Sequence, residues 1–411
     1  MALPATYNAS PVSGDAELAI LDRWWLLFSD AQLDELIERA LERNTDARLA
    51  QARLLEARAI RRAALSRFRV QGDLTGNASA QGTEVLGGVD AVVPGAPGAG
   101  GVPFIFPGTF LSTTAGLNVS YELDLFGRRE AARSGADADL LAARFAAEAS
   151  RSMLAADVAD NLFAARALAV QQRDAEAGIG TAVRLREALV VRVARGIAAD
   201  AELARVDTDL RTLRAQAAGV AGELDAARRA LLVLTGAPDA PLVALPITGD
   251  LADPPTPPMA LPGELLRRRP DVREAEARLR AAAARTALAR LELFPRLTLN
   301  PGGALTKNFR PESLLTATWN LAAGLAVPIL DRPRLLAELE AEGARAEQAA
   351  IGYERAVQIA FSEADGALVR LAADRARVRE LAEGARRAAV ARNAAGVLYG
   401  RGLQDLTTLL D

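Results

Sequence analysis

The chain has 411 residues, half of them hydrophobic but only 4% aromatic, and contains neither Cys nor His. Thiolate and imidazole metal sites, Cys nucleophiles and Ser-His-Asp triads are therefore excluded; no EF-hand-like carboxylate loop is present, and no cofactor is implied. The net charge of −3 comes from acidic and basic residues spread along helices, the basic ones all Arg except Lys307, which disfavours nucleic acid as a partner.

The opening Met1-Ala2-Leu3-Pro4 has no basic n-region or apolar h-region, so the expectation is a cytoplasmic chain or one that begins after a removed leader. No apolar run reaches the roughly 18 residues of a transmembrane helix. Trp24 and Trp25 precede a helix as packing anchors, and Asp30 reads as its N-cap. Asp46-Ala-Arg-Leu-Ala-Gln-Ala-Arg-Leu54 then matches Asp271-Val-Arg-Glu-Ala-Glu-Ala-Arg-Leu279 at six of nine positions, an offset of 225. Gly116-Leu-Asn-Val119 echoes Gly324-Leu-Ala-Val327, and Arg195-Gly-Ile197 echoes Arg401-Gly-Leu403, in the same order. The chain thus reads as two diverged copies of one unit.

Each copy predicts a helix, two strands and a very long helix. Strands are expected at about 70–81, 112–125, 296–306 and 315–329, because apolar and polar residues alternate there. From 115 to 125 the odd positions are Ala, Leu, Val, Tyr, Leu and Leu, and the even ones are Gly116, Asn118, Ser120, Glu122 and Asp124. Such alternation suits a membrane β-strand, apolar to lipid and polar to the lumen, or a half-buried soluble strand. Four of them beside long helices favour the membrane. Four strands cannot close a barrel, and an open edge cannot sit in hydrocarbon, so the barrel is shared between subunits; two copies would give eight strands and three would give twelve.

The long helices are expected at about 128–195 and 334–400, each roughly 100 Å long, too long for a compact domain and suited to a coiled coil or helical barrel. Gly178, Gly180, Gly352 and Gly366 mark places where they would bend. A returning helix is expected at about 200–234, and its counterpart after 411 is missing, as if the sequence were truncated. Between the copies the prolines Pro238, Pro241, Pro246, Pro254, Pro255, Pro257, Pro258 and Pro262 preclude regular helix. Arg195-Gly196-Ile197 and Arg401-Gly402-Leu403 are glycine turns ending the long helices.

Several segments together resemble the TolC-like outer-membrane factors of tripartite efflux pumps, the OprM/NodT-type branch in particular. They are Trp24-Trp25-Leu-Leu-Phe28-Ser-Asp30-Ala-Gln-Leu33, Tyr121-Glu-Leu-Asp-Leu-Phe-Gly-Arg128, Arg268-Arg-Pro-Asp-Val272, Phe294-Pro-Arg-Leu297, Val327-Pro-Ile-Leu-Asp331, and Tyr399-Gly-Arg-Gly-Leu403 through Leu409-Leu-Asp411. The resemblance runs from about Trp24 to the last residue. It implies a mainly α fold with a small β part: a long-helix periplasmic α-barrel plus a transmembrane β-barrel to which each chain gives four strands. The implied organisation is an equatorial segment at 1–43, a first repeat at 44–235, a Pro-rich equatorial linker at 236–262 and a second repeat at 263–411.

The implied function is that of a passive outer-membrane duct in a Gram-negative bacterium, extending into the periplasm. It would work as a homotrimer in outer-membrane lipid, with a periplasmic adaptor and an inner-membrane efflux transporter as partners. The tip turns Arg195, Gly196, Ile197, Arg401, Gly402 and Leu403 would dock the adaptor, and Thr407 and Asp411 would lie at the gate. The branch's lipidated N-terminal Cys is absent, and the Gly- and Pro-rich loop 87–108 would lie outside the cell. The alternatives are a soluble coiled-coil structural protein, against which the strands speak, and an enzyme, for which no constellation of Asp, Glu and Arg is present.

Overall fold

The computed structural model describes residues 18–84, 108–256, 267–310 and 313–401. A 3-10 segment, Leu18–Phe28, leads into helices α1 (Ala31–Arg43) and α2 (Thr45–Ser66), then strands β1 (Gln71–Thr83) and β2 (Gly108–Leu123). The long helix α3 (Arg128–Ala194) and helix α4 (Asp200–Leu234) follow. Beyond the linker come α5 (Pro270–Leu291), β3 (Arg296–Arg310), β4 (Leu314–Ala326) and the second long helix α6 (Arg332–Gly400). Two compact units interleave along the chain, each taking segments of both sequence copies: one holds residues up to Leu55, Ala142–Glu276 and those from Ile351 on, the other Glu56–Leu141 and Ala277–Ala350.

The first unit is helical and has its own core. In α1, Leu33, Leu36, Ile37 and Ala40 recur at helical spacing and are all buried, the stripe that the 3.6 period produces. They pack with Val158, Leu162 and Ala165 of α3 and with Leu224, Leu231 and Leu232 of α4. Burying each Leu or Ile stabilises by about 1.5–3 kcal/mol. Fully enclosed Ala155 and Ala165 let α3 approach its neighbours closely, which is where the alanine-rich composition takes effect. Trp25 is buried and stacks edge-on with Trp24, centroids 6.0 Å apart. The linker joins the same core through Leu245 and Ile247, and Gln32 donates to the Pro246 carbonyl at 2.8 Å. Gly236, φ +73°, closes α4; a Cβ there would come within 2.7 Å of the Arg43 Cβ, so both conformation and space require glycine.

The second unit contains one antiparallel sheet in the order β1-β2-β3-β4. Around it, small residues again set the helix spacing: Gly135 of α3 faces Ala284 of α5, and a Cβ placed on Gly135 would lie 3.5 Å from the Ala284 Cβ. Arg285 donates to both carboxylate oxygens of Asp139 at 2.6 and 2.7 Å, and Arg61 pairs with Asp137.

The elements differ from expectation at their ends, for local reasons. Strand β2 stops at Leu123 because the Asp124 carboxylate accepts from the N–H groups of Arg128 and Arg129, at 2.8 and 3.0 Å, and so caps α3. Strand β4 stops at Ala326, short of the expected 329, since Pro328 cannot donate to a ladder. Helix α6 starts at Arg332, two residues early, and takes Pro333 into its first turn, where the missing N–H costs nothing. Strands β1, β2 and β3 run outward past the alternating stretch to Thr83, Gly108 and Arg310. The long helices continue through Gly178, Gly180, Gly352 and Gly366 without interruption. Among the described residues no helix is long and apolar enough to cross a membrane.

Candidate functional site

Two regions bear on function: the sheet, and the turn that ends α3. In the sheet the register fixes which residues share a face. Asp73 pairs with Asn118, Asn118 with Gly302, and Gly302 with Asn320; one step along, Leu74 pairs with Leu117, Leu117 with Gly303, and Gly303 with Trp319. Successive residues point to opposite faces, so one face carries Asn, Ser, Thr, Gln and Asp, and the other Leu74, Leu117, Leu305, Leu315, Trp319, Leu321 and Leu325. Trp319 is 85% exposed and Leu74 80%. On the polar face hydroxyls pair across strands, Ser79 with Ser112 at 2.9 Å and Thr114 with Thr306 at 3.1 Å. Strands β1 and β4 are its two edges and have no strand beyond them among the described residues.

At the corners where strands become helices, Phe126 meets Phe294 with centroids 5.1 Å apart. Arg128 is buried there, 3.5 Å from Glu122 and paired with Glu292, which also holds Arg296. Gly127 bends the chain at φ +82°. Desolvating a guanidinium is costly without carboxylates beside it; here Glu292 accepts from Nη2, and Glu122 offsets the charge from 3.5 Å without a hydrogen bond to Nε. This clamp was not legible as a site in the sequence, although an Arg directly after a Phe-Gly corner hints at it.

The α3 turn is a Schellman motif. Gly196 has φ +70°, the Ile197 N–H donates to the Arg192 carbonyl at 2.9 Å, and the Gly196 N–H to Val193 at 2.9 Å. Ile197 is 62% exposed, and Arg195 and Gly196 are exposed too. At the end of α6 the Arg401 N–H reaches the Val397 and Leu398 carbonyls, both at 3.2 Å, as the Arg195 N–H reaches Val191 and Arg192 at 3.2 Å. Gly402, Leu403, Thr407 and Asp411 lie outside the described residues, as do most of loop 87–108 and the end of the linker.

One ionic site inside the helical unit was also missed by sequence reasoning. The Arg166 guanidinium, buried in α3, donates to both Asp30 carboxylate oxygens and, at 3.0 Å, to the Gln32 side chain. Asp30 meanwhile caps α1, accepting from the Gln32 and Leu33 N–H groups at 3.1 Å each. The Arg166 hydrogen bond holds the Asp30 carboxyl below the usual range, helped by those N–H groups against the opposing effect of burial. The signal was an Arg four residues after Leu162, in the apolar stripe of α3. Among the described residues no cluster of three or more His, Cys, Asp or Glu is placed to hold a metal ion.

Comparison with known proteins gives these features a context. The family model described as outer membrane efflux protein matches residues 36–237 and 261–411. The pyoverdine export outer membrane protein OpmQ of Pseudomonas aeruginosa is 30% identical over 365 residues, 87% of this chain and 73% of that protein. The cation efflux system protein CusC of Escherichia coli K12 is 28% identical over 348 residues, 84% of this chain and 72% of the relative. Among solved structures, the outer-membrane channel OprN superposes with a TM-score of 0.79 at 27% identity, over 99% of this chain and 89% of that one. A crystal structure of CusC gives 0.82 at 24% identity, over 100% and 89%.

Proposed function

The chain belongs to the outer membrane efflux protein family, and on that premise we propose that three copies close a twelve-stranded barrel around one export duct. It is an outer-membrane efflux channel of a Gram-negative bacterium, mainly α with a small β part. The observation that carries the shared barrel is the sheet: four strands, a polar face, an exposed apolar face and two open edges; the choice of three copies over two rests on the family. In hydrocarbon each edge N–H and C=O must find a partner, and the β1 edge of one copy is complementary to the β4 edge of the next. Exposed Ile359, Val369, Val378, Val390 and Val397 along α6 support a helical wall completed by neighbouring copies.

The duct is passive: small molecules such as drugs, toxic compounds or metal ions are handed over by an inner-membrane pump through a periplasmic adaptor, and no chemistry is done on them. The adaptor docks at the helix-ending turns, Arg195, Gly196 and Ile197 with Arg401, Gly402 and Leu403. Support for this is the exposure of Ile197, an apolar side chain with no core to fill. Thr407 and Asp411 form the gate. The chain is organised as the segment 1–43, the repeats 44–235 and 263–411, and the linker 236–262 between them.

Native mass measurement in detergent tests the assembly. A trimer that needs detergent is expected, and a monodisperse monomer stable without detergent would overturn the shared barrel.

A further inference from the structure

The polar face of the sheet is interrupted at one place. Strand β3 holds Pro301 in its interior, with a strand on either side. Pairing with β4 continues through it, Asn300 with Ala322, Pro301 with Leu321 and Gly302 with Asn320. Pairing with β2 holds at Asn118↔Gly302 and resumes at Tyr121↔Leu299, losing the two positions between. The register puts Val119 opposite Pro301 there, and proline has no N–H to give, so the Val119 carbonyl lacks its ladder partner. An unpaired carbonyl at membrane depth is tolerated where it lines a water-filled space.

Such a space lies at this point. A hollow of about 200 Å³ is lined by Asp73, Asn118, Ser120, Asn300 and Asn320, with Val119, Pro301 and Gly302 also at its wall. Gly302 keeps it open: a Cβ there would come 2.7 Å from the Asn320 Oδ1 and 3.3 Å from the Leu117 carbonyl oxygen. Asp73 is the one formal charge of the lining, and it has no ion-pair partner among the described residues. The neighbouring charges of the same face, Glu122 and Arg296, are paired with Arg128 and Glu292. The hollow is therefore rich in oxygen, negative and uncompensated.

Resting on the barrel reading above, we propose that this hollow is a cation station on the lumenal wall, one per subunit and three on one level of the duct. The Asp73 carboxylate supplies the charge, Asn118 on the adjacent strand offers the nearest neutral oxygen, and the other Asn and Ser oxygens with the Val119 carbonyl face the water that the cation keeps. Oxygen sets of this kind suit hard, partly hydrated alkali or alkaline-earth cations. Rings of carboxylates give pores a preference for cations.

The test is the reversal potential of the purified protein in planar bilayers under a KCl gradient. The wild type is expected to favour K⁺ over Cl⁻, and Asp73→Asn to lower that ratio by about threefold or more. Asp73 is exposed, so Asn leaves the fold intact. Gly302→Ala, which fills the hollow without changing charge, is expected to lower the ratio less. Repeating the measurement with Asp411→Asn separates any contribution from the gate. A channel whose K⁺ preference is unchanged by Asp73→Asn in both backgrounds overturns the station and leaves the barrel standing. A detergent-free monomer that opens no channel overturns both.

Discussion

The two compact units bury their apolar side chains in opposite ways. The helical unit encloses Leu33, Ile37, Leu162, Leu224 and Leu231 almost completely within one chain. The sheet leaves Leu74, Leu117, Leu315, Trp319, Leu321 and Leu325 exposed on one face, the kind of apolar surface that marks a protein or membrane contact. One chain therefore encloses the core around α1 by itself, whereas the apolar face of the sheet has no cover within the chain; on the proposed reading that cover is lipid, with neighbouring strands at the edges. The helical unit should respond to substitutions as a soluble protein does, and the sheet as a membrane protein does.

The sharpest way to break that contrast is through the ionic centre of the helical unit. Arg166→Ala leaves the Asp30 carboxylate in a largely buried place without its guanidinium, and removing one partner of a buried pair costs roughly 3–5 kcal/mol. Chemical denaturation followed by circular dichroism should show that loss in the helical signal. Retention of full stability would mean that water replaces the guanidinium and that the centre is more open than it looks.

On the sheet side, Leu117→Arg or Leu325→Arg should hinder membrane insertion by roughly 2–4 kcal/mol if the position lies near the bilayer midplane. Asn118→Arg and Ala326→Arg, one step along each strand and on the opposite face, should be milder. Equal effects on both faces, measured as folded fraction in liposomes, would contradict the assignment of the apolar face to lipid.

How legible each unit was follows from the same contrast. The strands could be read because period-two alternation is local: Leu117, Val119 and Tyr121 against Asn118 and Ser120 need no knowledge of the partner strand. The long helices could be read because proline is absent beyond their first turn, and helix propagation tolerates a glycine such as Gly178 at about 1 kcal/mol. The pairings Arg166–Asp30, Arg128–Glu292 and Gly236 against Arg43 join residues between 136 and 193 positions apart, and no local pattern announces such contacts. The hollow beside Pro301 was hidden for a related reason. A proline within a strand run argues against an interior strand, and only the register shows that its missing N–H leaves the Val119 carbonyl unpaired.

A smaller effect is expected from acid in the helical unit. The folded Asp30 carboxyl is held below its ordinary value of 3.8 by Arg166. A depressed carboxyl adds stability that is fully present above its unfolded value and lost as pH falls through the folded one. Stability of this unit should thus hold down to about pH 4 and decline below it. Asp34 works in the other direction, raised first by burial and then by Asp30 and Glu38, so it softens the decline. Asp30→Asn should flatten the acid limb of a stability–pH profile; an unchanged limb would assign acid sensitivity to other carboxylates.

The smallest effect on the fold is expected at the α3 turn, where the effect on function should be largest in proportion. Ile197 is 62% exposed, so Ile197→Asp should change stability by less than about 0.5 kcal/mol. Gly196 is different, because its φ of +70° is a conformation that a β-branched residue resists; Gly196→Val should loosen the turn itself. If the turn only ends a helix, Ile197→Asp is silent in every assay and Gly196→Val alone does harm. If it docks an adaptor, Ile197→Asp, together with Leu403→Asp at the second turn, should leave trimer mass and outer-membrane level intact while weakening adaptor capture and drug efflux. The measurement is susceptibility of an efflux-null strain complemented with each variant, alongside its membrane abundance. Full resistance at normal abundance in the double Asp variant would leave these turns with a structural role alone.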